Sequence, residues 1–181
     1  ALFLVGGVFP CLPHGAELEL ESPSYILMEP VTGEILLEKN SHKQVEPASV
    51  TKLMTLVLAV EALEAGRAKL SDMVSVSENA SKMGGAQIYL EKGEEMTLND
   101  LLVSIAVGSA NDACVAVAEY LYGSHEEFVR MMNLRAEELG MKDTHYVNSY
   151  GLHAEGHYTS AYDQAILSRH AVALPRILEM T

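Results

Sequence analysis

The chain is short of basic residues, cysteine, aromatic residues and long apolar runs, and each shortage removes a class of function. Its 181 residues hold 12 Lys and Arg against 25 Asp and Glu, a formal net charge of −13. A surface of that sign repels a phosphate backbone, so nucleic acid is not an expected partner. Patches that interleave basic and aromatic residues are missing, and so are Gly-rich phosphate loops. The acidic residues never form runs of five or six, so they read as solvated faces rather than a binding tail. Two cysteines, Cys11 and Cys114, offer little disulfide chemistry. Cys114 lies in DACVAVAEYL, an apolar helical pattern, and reads as a packing residue. With 49% apolar and 20% charged residues, the composition is that of a globular chain. It is long enough for one packed domain and too short for two large ones. No internal repeat, low-complexity tract or linker divides it.

The longest uncharged apolar stretch at the start, Ala1 to Phe9, is too short to cross a bilayer. It suits the apolar segment of a secretory signal, followed by turn-forming residues and the small Ala16. The alternative is a buried first strand. The signal reading makes residues 1–16 a signal-peptide remnant and residues 17–181 the first part of a domain that works outside the cytoplasm, in the periplasm or on the outer face of the membrane. Phe9 and Pro10 stand where small residues should precede Cys11, which argues against a lipoprotein signal. Cleavage near Ala16 leaves Cys114 as the only cysteine.

Local patterns place most of the elements. Tyr25 to Met28 and Gly33 to Leu37 are short apolar runs joined by Glu29-Pro30-Val31-Thr32, a hairpin signature. Val50 to Ala65 is apolar nearly all round and stops at Gly66, which predicts a helix buried on most sides. Thr97 with Asp100, Ser124 with Glu127 and Ser160 with Asp163 are capping patterns that open three further helices. These run to about Gly108, Gly140 and Ala173, and another spans Asn111 to Tyr122. Met141 to Tyr158 carries Gly, Asn and His without a period and reads as a long loop; Gly84-Gly85 is a turn.

Within this frame, Pro47-Ala48-Ser49-Val50-Thr51-Lys52 carries the most chemistry. Ser49 stands where the buried helix begins, with Lys52 one turn on and on the same face. A hydroxyl becomes a useful nucleophile only with a base in hydrogen-bond reach. A lysine serves as that base when burial disfavours its ammonium form. The plain alternative is Ser49 as a helix cap and Lys52 on the surface. Against it, a lysine in an otherwise apolar helix needs a reason to be there. Ser109-Ala110-Asn111, in the break between two helices, can aim a hydroxyl and an amide into one cleft, or simply cap helices. His153 and His157 are four apart in a Gly-containing loop with no third ligand in view, so no metal site is expected. His157 and Asp163 read as residues that order the loop and the following helix start.

Ser49-Val50-Thr51-Lys52 followed some sixty residues later by Ser109-Ala110-Asn111 resembles the serine penicillin-binding protein and β-lactamase superfamily. Glu46-Pro47-Ala48, Gly84 to Leu90 (GGAQIYL), Gly93-Glu94, Asn148 to Leu152 (NSYGL) and His157 to Asp163 (HYTSAYD) narrow it to the low-molecular-weight D-alanyl-D-alanine carboxypeptidases.

The resemblance implies an α+β, transpeptidase-like fold, in which an antiparallel sheet meets a helical cluster. It gives Ser49 the attack on the D-Ala-D-Ala carbonyl and Lys52 the serine proton. It gives Ser109 the relay to the leaving amine and Asn111 the substrate's amide carbonyl. It implies peptidoglycan pentapeptide and β-lactams as partners, and no cofactor. The family's third motif, Lys-Thr-Gly on a later strand, does not occur in these residues. The chain is therefore expected to be truncated, its sheet incomplete and the piece inactive alone, with any membrane association residing in the missing C-terminal region. A β-lactamase and a non-catalytic wall-binding relative are the competing readings. Ala110 stands where class A β-lactamases usually carry Asp, and no deacylating Glu segment is evident in residues 141–181.

Overall fold

The computed structural model describes residues 20–180, so the signal-peptide reading of residues 1–16 lies outside the described residues. Strands β1 (Tyr25–Met28) and β2 (Ile35–Lys39) form the expected antiparallel hairpin. The second strand starts two residues later than the apolar run suggests, because Gly33 and Glu34 are used in the turn. Glu29 N–H donates to Glu34 O at 2.8 Å and Gly33 N–H to Glu29 O at 2.9 Å. Arg169 ties that turn to the helices, donating to the carbonyls of Pro30 at 2.9 Å and Val31 at 2.8 Å.

A 3₁₀ turn, Ala48–Thr51, runs directly into α1 (Lys52–Glu64). The helix is buried on most sides, as its composition predicts: Met54, Val57, Ala59, Val60 and Ala62 have no exposed surface. It packs against other helices: α3 (Leu98–Gly108), α4 (Asn111–Tyr122), α5 (His125–Leu139), α6 (Ala161–Val172) and α7 (Pro175–Glu179). Three of these helices begin where the capping patterns place them. The hydroxyls of Thr97, Ser124 and Ser160 each accept the N–H three residues on, at 3.1 Å.

A second ribbon, β3 (Met73–Ser75) with β4 (Glu95–Thr97), and the short helix α2 (Glu78–Ser81) were not expected. Three-residue strands are too short to show alternation, and only the pairing of distant segments defines them. Cys114 is fully buried in α4, in agreement with its packing role. Burial pushes its thiol up to about 12, so it stays protonated and unreactive at neutral pH. Among the described residues, no helix is long and apolar enough to cross a membrane.

Candidate active site

The turn that presents Ser49 is built against local preference. Ala48 has φ +46, in the left-handed region, which costs a non-glycine residue about 1–2 kcal/mol. Such strain persists only where neighbours over-determine it. Here the neighbour is Gly151, φ +89, packed so tightly that a Cβ on it would stand 1.9 Å from the Ala48 carbonyl oxygen. Ser49 itself is exposed, while Lys52 is only 4% exposed.

Lys52 Nζ donates to the Tyr150 carbonyl oxygen at 2.6 Å and to Ser49 Oγ at 3.3 Å. Burial holds the ammonium below its ordinary value of 10.5, the condition for a lysine to serve as a base. One turn further along α1, Thr55 Oγ1 donates to Ser149 O at 2.6 Å. Asn148 locks the loop that supplies these carbonyls. Its Oδ1 accepts the N–H groups of Tyr150 at 3.2 Å and Gly151 at 2.6 Å, and its Nδ2 donates to Leu152 O at 2.8 Å. His125 stacks on Tyr150, with 5.7 Å between ring centroids, and its Nε2 lies 3.0 Å from Ser149 Oγ.

The opposite wall comes from the break between α3 and α4. Ser109 closes α3 in the left-handed conformation, φ 54. Ser49, Lys52 and Ser109 line one cleft of about 330 Å³, together with Leu53, Ile105, Gln164 and Ser168. Three of the four residues singled out from sequence are thus brought together.

Asn111 does not line that cleft. It is 3% exposed, and its Nδ2 donates to Gly84 O at 2.8 Å while its backbone N–H donates to Ala86 O at 2.7 Å. It holds the Gly84-Gly85 turn, where a Cβ on Gly85 would stand 2.7 Å from the Asn111 amide nitrogen. Its neighbour Asp112, 1% exposed, accepts the N–H groups of Ile88 and Leu90, both at 3.1 Å. Sequence reasoning missed this buried carboxylate, although an Asp heading an apolar helix was a signal for it. Between those two N–H groups Tyr89 is held at φ 62 with 79% of its surface exposed.

His153 is exposed and pairs with Glu46 at 2.9 Å, while His157 is buried. Asp163 orders the long loop, accepting the N–H of Asp143 and the hydroxyl of Thr144, both at 2.7 Å. Among the described residues there is no cluster of three or more His, Cys, Asp or Glu that can hold a metal ion.

Comparison with known proteins places this geometry in a family. Residues 13–180 match the family model described as peptidase S11, D-alanyl-D-alanine carboxypeptidase. The D-alanyl-D-alanine carboxypeptidase DacF of Bacillus subtilis strain 168 is 50% identical over 166 residues, covering 92% of this chain and 43% of that protein. The crystal structure of the D-alanyl-D-alanine carboxypeptidase DacD from Francisella tularensis matches with a TM-score of 0.89 at 35% identity, over 92% of this chain and 41% of that one. Penicillin-binding protein D2 of Listeria monocytogenes in its ampicillin-bound form matches with a TM-score of 0.80 at 27% identity, over 91% of this chain and 67% of that one. The chain spans less than half the length of the two carboxypeptidases. It belongs to the peptidase S11 family of D-alanyl-D-alanine carboxypeptidases.

Proposed function

We propose that the protein removes the terminal D-Ala from peptidoglycan stem peptides through an acyl-serine, and that β-lactams acylate the same serine. The observation that carries this reading is Lys52 Nζ, buried, anchored on Tyr150 O and 3.3 Å from the exposed Ser49 Oγ. Neutral Lys52 takes the Ser49 hydroxyl proton as Oγ bonds to the carbonyl carbon of the D-Ala-D-Ala link. The C–N bond then breaks, and Ser109 relays a proton from the lysine side to the leaving amine of D-Ala. Water hydrolyses the ester, which releases the shortened peptide and restores the serine hydroxyl. Asn111 reaches the substrate's amide carbonyl only if its grip on Gly84 O is shared or exchanged, so its first role is to hold the Gly84-Gly85 turn.

We place the protein outside the cytoplasm, where its substrate lies; the apolar run Ala1 to Phe9 supports this. The test is to incubate the full-length protein with a pentapeptide ending in D-Ala-D-Ala and measure released D-Ala, alongside hydrolysis of a chromogenic β-lactam. Release of D-Ala with slow β-lactam turnover is the expected result. Rapid repeated β-lactam hydrolysis without D-Ala release makes the protein a β-lactamase, and neither activity makes it a non-catalytic relative.

A further inference from the structure

His157 is only 4% exposed, and both of its ring nitrogens are engaged. Nδ1 accepts the backbone N–H of Val147 at 2.9 Å. A backbone amide is only a donor, so Nδ1 carries no proton and the ring proton resides on Nε2. Nε2 lies 2.9 Å from Thr51 Oγ1 and therefore donates to it. Thr51 has no exposed surface and sits inside the nucleophile turn, two residues after Ser49 and one before Lys52.

That turn is held only weakly by its own backbone, with Val50 N–H donating to Pro47 O at 3.3 Å. It is 3₁₀, whose hydrogen bonds have poorer geometry than those of an α-helix, and no side chain caps its start at Pro47. Its other braces come from the same loop that carries His157: Gly151 against Ala48, and the Tyr150 carbonyl against Lys52. Those fix the first and last residues of the Ala48–Lys52 stretch. The His157 bond fixes the side chain between them.

We propose that His157 is a positioning residue for acylation: its Nε2–H, through Thr51 Oγ1, holds the turn so that Ser49 Oγ stays within reach of Lys52 Nζ. The proposal rests on Ser49 and Lys52 being the nucleophile and base. At 3.3 Å that contact is at the long end of a hydrogen bond, so a small rotation of the turn breaks it. Burial lowers the basicity of His157, His145 adds to this and Glu46 opposes it, and the net effect keeps the ring in the neutral form the two bonds require.

The two nitrogens can be tested separately in the full-length protein. The carboxamide of His157→Asn places an acceptor near Nδ1 and so keeps Val147, but it cannot reach Thr51. His157→Gln carries an N–H to the region of Nε2 and restores the donor. The readouts are the rate constant for acylation by penicillin and the thermal melt. We expect His157→Asn to melt close to the parent and lose about 10–100-fold in acylation, the scale of a misplaced reacting group. His157→Gln should recover most of it. Thr51→Val removes the acceptor at nearly constant shape and should match His157→Asn, with no further loss in the double variant; it carries the test if His157→Asn does not fold.

Acylation at the parent rate in His157→Asn or Thr51→Val, or a Gln variant no better than Asn, overturns the proposal alone. A parent protein that takes no adduct overturns the functional reading and this proposal together.

Discussion

Gly151 and Ala48, about a hundred residues apart in sequence, are in backbone contact so close that no side chain fits between them. A Cβ on Gly151 would stand 1.9 Å from the Ala48 carbonyl oxygen, and the glycine's φ of +89 disfavours any other residue. The contact seats the carbonyl immediately before the nucleophile. Gly151→Ala should therefore displace the Ser49 turn, with a stability loss of about 1–3 kcal/mol from overpacking and strain. Acylation should fall by about 100-fold, because the displaced atoms lead directly to the reacting hydroxyl. Thermal melting and penicillin labelling of the same preparation measure both effects.

The base gives a second expectation. Lys52→Ala should slow acylation by about 10²–10⁴-fold, the worth of a positioned general base. Lys52→Arg should not recover it, since a guanidinium keeps its proton. Burial lowers the lysine, so the parent's acylation rate should rise with pH through a midpoint below the ordinary 10.5. A near-parental rate in Lys52→Arg assigns the base to another group.

Two buried imidazoles set the direction of acid sensitivity. His125 and His157 both lie below the ordinary 6.5, chiefly because burial penalises the charged ring. As pH falls through 6.5 the unfolded chain takes up protons first, so stability is full above that value and declines below it. Both residues brace the loop that holds Lys52 and Thr51. A melt series from about pH 7.5 to about pH 5.5 should show falling stability, with a smaller fall in His157→Asn. A flat profile in the parent removes these two groups from the account.

The segment from Ile88 to Leu90 depends on Asp112. Asp112→Asn replaces an acceptor-only carboxylate facing several N–H groups by an amide that presents donors of its own. It leaves Ile88 or Leu90 N–H short of a partner, at a cost of about 1–3 kcal/mol. Limited proteolysis should then cut near the exposed Tyr89 faster than in the parent. An unchanged cutting rate shows that the segment is held by other contacts.

What sequence reveals here is what is local. The caps at Thr97, Ser124 and Ser160 bond residues three apart, and the composition of α1 alone announces its burial. The pairing of Ser49 with Lys52 spans a single turn, so that half of the site was legible too. The cradle was not: Lys52 meets Tyr150 across 98 residues and Thr51 meets His157 across 106. The same holds for the β3–β4 ribbon, whose strands are too short for any period to show. Asn111 shows the limit of a motif. Its residue type and spacing pointed into the cleft, yet its amide is engaged with Gly84, a contact that depends on how a turn 27 residues earlier folds back.

The central claim is that Ser49 is the acylated nucleophile, and intact-protein mass after incubation with penicillin tests it most directly. The account predicts a mass increase of one β-lactam on the full-length parent, located by peptide mapping to Ser49 and absent in Ser49→Ala. An adduct that persists in Ser49→Ala contradicts it.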